Sequence, residues 1–191
     1  LEIMKVGSGH YGTIDIDANT FIGLASLKKF TLGMDLNKAQ TSLSNAVKHI
    51  TNITTFHLTN CFLKSFPTDV LYHLSYLEEI DLSGNFIKHI QIGPHIRSLQ
   101  NVNIFESSSV NLHLNHSSLY PFLPNLVRLI LGFNSITNLS ELSFGWWRHS
   151  QLQQLDLHHL SYLEELDLAF NFIKHIQIGP HNRSLQNVNI F

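Results

Sequence analysis

Thirteen histidines stand among the 191 residues, and several lie close together, so metal binding is the first chemistry to weigh. The groups are His113-x-x-His116, His158-His159, and His175 with His181. A structural zinc ion wants four protein ligands, and a catalytic one wants three around an open position. None of these groups supplies a convincing set, so no metal is expected. The acidic trio Glu78, Glu79 and Asp81 recurs as Glu164, Glu165 and Asp167. Paired carboxylates do acid–base work when a cleft shifts their pKa values apart. An open strand face offers no cleft, so these read as a solvated surface. The single cysteine, Cys61, can form no disulfide within the chain. Nucleophile elbow, phosphate loop and dinucleotide fingerprint are all missing. These observations point away from an enzyme, with no catalytic residue and no cofactor.

The elements that must position any site follow from an internal repeat. The spacing L-x-x-L-x-L-x-x-N recurs as Leu77, Ile80, Leu82, Asn85, as Leu126, Leu129, Leu131, Asn134, and as Leu163, Leu166, Leu168, Asn171. Looser copies open at Leu27, at Ile53 with Cys61 in the asparagine place, at Leu99 with Val102 and Ile104, and at Leu152. Leu1 with Met4 and Val6 fits weakly, and Leu185 opens a last, short copy. The steps between starts are 26, 26, 24, 22, 27, 26, 11 and 22, mostly within the usual range for this repeat. Positions 4 and 6 alternate as in a strand and face the same way. One turn buries too little apolar surface to fold alone, so turns must stack. The asparagine side chain can satisfy backbone groups in the tight bend, and cysteine is a known alternative there. Cys61 therefore reads as structural. Apolar residues six and three positions before each start, such as Phe21 and Leu24 or Leu71 and Leu74, read as core of the return segments.

The expected fold is an α/β solenoid, a leucine-rich-repeat horseshoe. Its concave face is a parallel β-sheet, and its convex segments are irregular or briefly helical. Hydrophobic residues make up 43% of the chain, enough for a core, and charged residues only 14%. The formal net charge of −2 argues against nucleic acid as the main partner. Apolar runs are too short for a membrane helix. The chain opens at Leu1 and closes on Val188-Asn189-Ile190-Phe191. It is expected to belong to a longer protein, with any membrane contact made through a further C-terminal segment. Uncapped ends would expose core and favour homo-association.

The return pattern Ile16-x-x-x-x-Phe21-x-x-Leu24-x-x-Leu27, with steps of 24–27, resembles the repeats of Toll-like receptor ectodomains. The 22-residue step from Leu77 to Leu99 instead resembles the short repeat of cytosolic scaffold proteins. The receptor resemblance implies an extracellular or cell-surface binding module for a microbial or protein ligand, part of an innate-immune receptor. The alternative is an intracellular or matrix scaffold for protein partners. The resemblance also implies binding on the concave face or lateral loops. Outward positions nominate His57, Glu79, Asp81, Asn101, Asn103, Phe105, Arg128, Ile130 and Phe133, with Phe105, Ile130 and Phe133 forming an apolar patch. Four sequons, at Asn52, Asn115, Asn138 and Asn182, are candidate glycosylation sites. In the pair Trp146-Trp147, one ring is expected in the core and one outside.

Residues 159–191 repeat residues 73–105 at an offset of 86, with 29 of 33 positions identical. The chain thus divides into an array of about seven repeats at 1–157 and a duplicated block at 158–191. Their junction is out of step, because Leu152 and Leu163 lie only 11 residues apart. A parallel crossover needs roughly a dozen residues for the connection alone. Either the strand at 152–157 or the one at 163–168 must be lost, with irregular or helical chain between Gln151 and Glu165.

Overall fold

A computed structural model describes residues 1–7, 15–36, 39–88, 98–108, 125–134, 163–173 and 189–190. The strands are β1 (Ile3–Gly7), β2 (Lys29–Gly33), β3 (Thr55–Leu58), β4 (Glu79–Asp81), β5 (Ile104–Glu106), β6 (Arg128–Ile130), β7 (Glu165–Asp167) and β8 (Asn189–Ile190). They pair in that order, each parallel to the next. Return segments include the helices α1 (Gln40–Ala46) and α2 (Thr68–Leu71), with 3-10 turns at Val47–His49 and Ser98–Asn101. This is the leucine-rich-repeat solenoid that the spacing predicts. Among the described residues no helix is long and apolar enough to cross a membrane.

Two inward columns build the core under the sheet. One runs Phe30, Phe56, Ile80, Phe105, Leu129 and Leu166, and all are buried. The other runs Leu32, Leu58, Leu82, Ser107, Leu131 and Leu168. Phe30 stacks on Phe56 with centroids 5.5 Å apart and meets the edge of Phe21 at 5.3 Å. Burying each such ring stabilises the stack by roughly 1.5–3 kcal/mol. Ser107 is the exception, since its buried hydroxyl has no hydrogen-bond partner among the described residues.

Backbone bonds repeat with the same regularity. The first-position amides of Leu27, Ile53, Leu77 and Val102 donate to the carbonyls of Leu24, Ile50, Leu74 and Leu99. The Glu78 carbonyl accepts from both Asn103 and Ile104, and the Asn103 carbonyl from both Val127 and Arg128. These bonds correct the grid. The fifth repeat opens at Val102, not Leu99, and Leu99 takes the return-segment place held elsewhere by Leu74. Ile80 accordingly pairs with Phe105. Starts at 77, 102 and 126 give steps of 25 and 24 in place of 22 and 27, so the likeness to a short cytosolic repeat falls away. Phe105 is fully buried, which overturns its expected place on the open face.

The duplicated block enters the sheet differently. Leu166 pairs with Ile190, the counterpart of Ile104 rather than of Phe105. Near-identical sequences therefore take registers one residue apart. A one-residue slip exchanges the faces of a strand. At the junction, β7 has β6 and β8 as its neighbours. The form of residues 151–162 lies outside the described residues, as do Trp146 and Trp147.

Candidate functional site

The asparagine ladder fixes the bends from which the concave face is hung. The side-chain Nδ2 of Asn85 donates to the carbonyl of Leu58, that of Asn134 to Ser107, and that of Asn171 to Leu131. Each spans to the preceding repeat. Cys61 makes the same link with its thiol, Sγ to the Leu32 carbonyl at 3.1 Å. Burial pushes that thiol up to about 11; the Met34 backbone bond lowers it and the Asp35 charge raises it, both by less. A thiol so held is protonated at neutral pH and makes a poor nucleophile.

A second asparagine ladder runs along the opposite edge. Asn52, Asn101 and Asn125 donate from Nδ2 to the carbonyls of Ala25, Ser75 and Gln100. Asn101 therefore belongs to this edge and not to the concave columns, a correction to its expected place. Asn103 stands one place before β5, where its carbonyl serves the next repeat, and it too falls outside the columns. The recurrence of asparagine just before a repeat start was a readable signal for this ladder. At the Asn52 sequon, an attached sugar would leave one N–H for the bond to Ala25. The sequons at Asn115, Asn138 and Asn182 lie outside the described residues.

Two outward columns remain as the face itself. One carries Lys29, Thr55, Glu79, Ile104, Arg128 and Glu165. The other carries Lys5, Thr31, His57, Asp81, Glu106, Ile130 and Asp167. Of the nominated residues, His57, Glu79, Asp81, Arg128 and Ile130 come together here. Ile104 and Glu106 take the outward places expected of Asn101 and Asn103. His57 Nε2 lies 3.1 Å from Glu79 Oε1, and Arg128 Nε donates to Glu165 Oε2 at 2.5 Å. Asp81 Oδ1 accepts the Ser83 amide at 2.8 Å. Burial first, and Asp81 second, raise the Glu106 carboxyl above the usual range. Cations thus sit on the first strands, and carboxylates dominate from β4 onward.

The rim beyond the strand ends is aromatic. Phe62 and Phe86 tilt together at 5.7 Å. With Met34, Thr31, Lys5 and Asp35 they line a cavity of about 590 Å³. Gly84 belongs to its wall at φ 69°, and a Cβ there would meet Asn60 Oδ1 at 2.2 Å. Further along, Phe133 and Phe170 stack with centroids 4.2 Å apart. Phe133 thus lies on the rim, not among the columns. Among the described residues no cluster of three or more His, Cys, Asp or Glu could hold a metal ion. The histidine groups at 113–116, 158–159 and 175–181 lie outside those residues.

No protein-family model and no curated protein matches the sequence. Solved structures do match in fold. Internalin C2 from Listeria monocytogenes aligns over 92% of this chain with 21% identity and a TM-score of 0.57. The ectodomain of the Arabidopsis thaliana receptor kinase GASSHO1/SCHENGEN3, solved with CASPARIAN STRIP INTEGRITY FACTOR 2, aligns over 100% with 19% identity and a TM-score of 0.61. TLR13 in its complex with ssRNA13 aligns over 91% with 18% identity and a TM-score of 0.52. The chain spans 66%, 24% and 26% of the lengths of these three. They are leucine-rich-repeat proteins, and that fold is what this chain shares with them.

Proposed function

We propose that this chain is the binding module of an innate-immune pattern-recognition receptor ectodomain, displayed outside the cell, with a protein or microbial ligand on its concave face. The observation that carries the reading is the face itself. Two outward columns mix charges with half-buried Ile104 and Ile130 and run beside a rim of exposed phenylalanines. Such a surface suits a polypeptide that offers both charged and apolar groups. The acidic half speaks against the RNA with which TLR13 was solved, since phosphates bind where cations gather. The Asn52 sequon and the likeness to receptor ectodomains support an extracellular setting over a cytosolic or matrix scaffold.

The test is display of the secreted chain against arrayed secreted proteins and purified bacterial surface proteins. Binding should be lost with Asp81→Lys plus Arg128→Glu and kept with Lys64→Glu on an exposed loop away from the face. Binding that survives the concave pair, or failure to bind any arrayed protein, would overturn the reading. Absence of a glycan on Asn52 in secreted material would remove its support for the extracellular setting.

A further inference from the structure

The duplicated blocks differ at four positions, and one of them reshapes the rim: Gly84 in the first copy is Phe170 in the second. Both have left-handed backbone, at φ 69° and 55°. Glycine adopts that conformation freely, while a bulky side chain is an outlier there. Phe133, one repeat earlier, is held the same way at φ 55°. The two rings lie nearly parallel, 11° apart at 4.2 Å, and are 55% and 73% exposed. Asn60 has the same left-handed backbone at φ 55°, so the turn belongs to the repeat; what is particular to this spot is the pair of bulky, exposed rings placed on it.

The chemistry beside the stack selects what it would hold. A Cβ on Gly132 would meet Asp167 Oδ2 at 3.2 Å, so the Asp167 carboxylate lies against the backbone just before Phe133. Its Oδ1 is fixed by the Ala169 amide at 2.8 Å. Among the described residues no cation pairs with Asp167, whereas Glu165 has Arg128. Across β4 to β7 the outward columns carry Glu79, Asp81, Glu106, Glu165 and Asp167 against Arg128 alone. The faces of aromatic rings attract cations. Guanidinium also lies flat on rings and forks onto carboxylates, which ammonium does less well.

We propose that the Phe133–Phe170 stack and Asp167 form a docking site for an arginine side chain of a basic, extended peptide segment, whose neighbouring residues run toward Glu106 and Asp81. The proposal rests on the binding-module reading and adds the partner's chemistry to it. A nucleobase would also stack on the rings, but its phosphate would meet the acidic face.

The experiment uses the full chain and fluorescent octapeptides of alternating glycine with arginine, lysine or glutamate, together with an oligouridylate of similar length, read by anisotropy. The arginine peptide should bind more tightly than the lysine peptide, and the glutamate peptide and the RNA not at all. Phe170→Gly should weaken the arginine peptide about fivefold while leaving the melting temperature unchanged or higher, because the first copy carries glycine at this place. Phe133→Leu with Phe170→Leu should abolish the arginine-over-lysine preference while keeping apolar area. Asp167→Asn should act in the same direction. Equal binding of arginine and lysine peptides, or indifference to Phe170→Gly, would overturn the proposal. So would preference for the glutamate peptide or the RNA, though the glutamate result would leave the binding-module reading standing. Binding of no peptide at any charge would sink the proposal and count against a polypeptide ligand.

Discussion

Asn85 Oδ1 accepts the backbone amide of Cys61 at 3.0 Å, and the same oxygen takes the amide of Leu63 at 3.0 Å. One side chain thus closes the bend of the repeat before its own. Its Nδ2 serves the carbonyls of Leu58 and Leu82 at 2.6 and 2.7 Å. Asn85→Ala would strand several buried backbone groups at about 1–3 kcal/mol each. The expected loss is at least about 3 kcal/mol, read by chemical denaturation. A loss below about 1 kcal/mol would show that water takes over these bonds.

The Cys61 thiol gives a pH signature. Its value rises from 9.0 to about 11 through burial, so the folded state prefers the protonated form. That preference is fully present below pH 9 and is lost as pH climbs through 11, at most about 2–3 kcal/mol. Wild type should lose more stability over that window than Cys61→Ser, and a thiol reagent at pH 7.5 should react only on unfolding. Rapid native labelling would contradict both.

Register in the fifth repeat separates two neighbours. Phe105 is buried and Ile104 half-buried on the open face. Phe105→Ala should cost about 3–5 kcal/mol, and Ile104→Ala well under half of that. Reversal of the order would place this repeat in the register of its copy.

Ser107 occupies a core column otherwise held by leucines, with a hydroxyl that has no partner among the described residues. Ser107→Ala removes the unmet group with little change of volume. A gain of about 1 kcal/mol should raise the melting temperature by roughly 2–4 °C. A fall would reveal a bound water on that hydroxyl.

Glu106 is raised by burial and by Asp81. Its folded state prefers the neutral acid, so wild type loses stability as pH rises through the folded value. Glu106→Gln mimics the neutral form. It should stabilise the protein at pH 7 and make no difference below the ordinary carboxyl value of 4.5. An equal effect at both pH values would assign the change to packing.

Most of the architecture was legible because each repeat restates it. Leu77, Ile80, Leu82 and Asn85 define inward places and a bend by spacing alone, and the concave places of His57, Glu79, Asp81, Arg128 and Ile130 follow from alternation. The fifth repeat was misread because Leu99 and Val102 are both apolar and three residues apart, so the return segment imitates the start of a strand. Asn101, Asn103 and Phe105 were misplaced together by that shift. The stacked rings of Phe133 and Phe170 were not legible at all. They arise from the pairing of β6 with β7 across 37 residues, a neighbourhood that the broken step at Leu152 conceals from any periodic reading.

The direction of the asparagine ladder gives the solenoid a grain. Among the described residues, the bends bonded by Asn85, Asn134 and Asn171 are each latched by an asparagine of the repeat that follows. Pulling from the C-terminal side would lift the latch first and leave the bend beneath it open. Pulling from the N-terminal side would peel away a bend while the next stays fastened. The stack should therefore yield to force at unequal thresholds from its two ends, like a row of tiles that sheds load in one direction and catches it in the other.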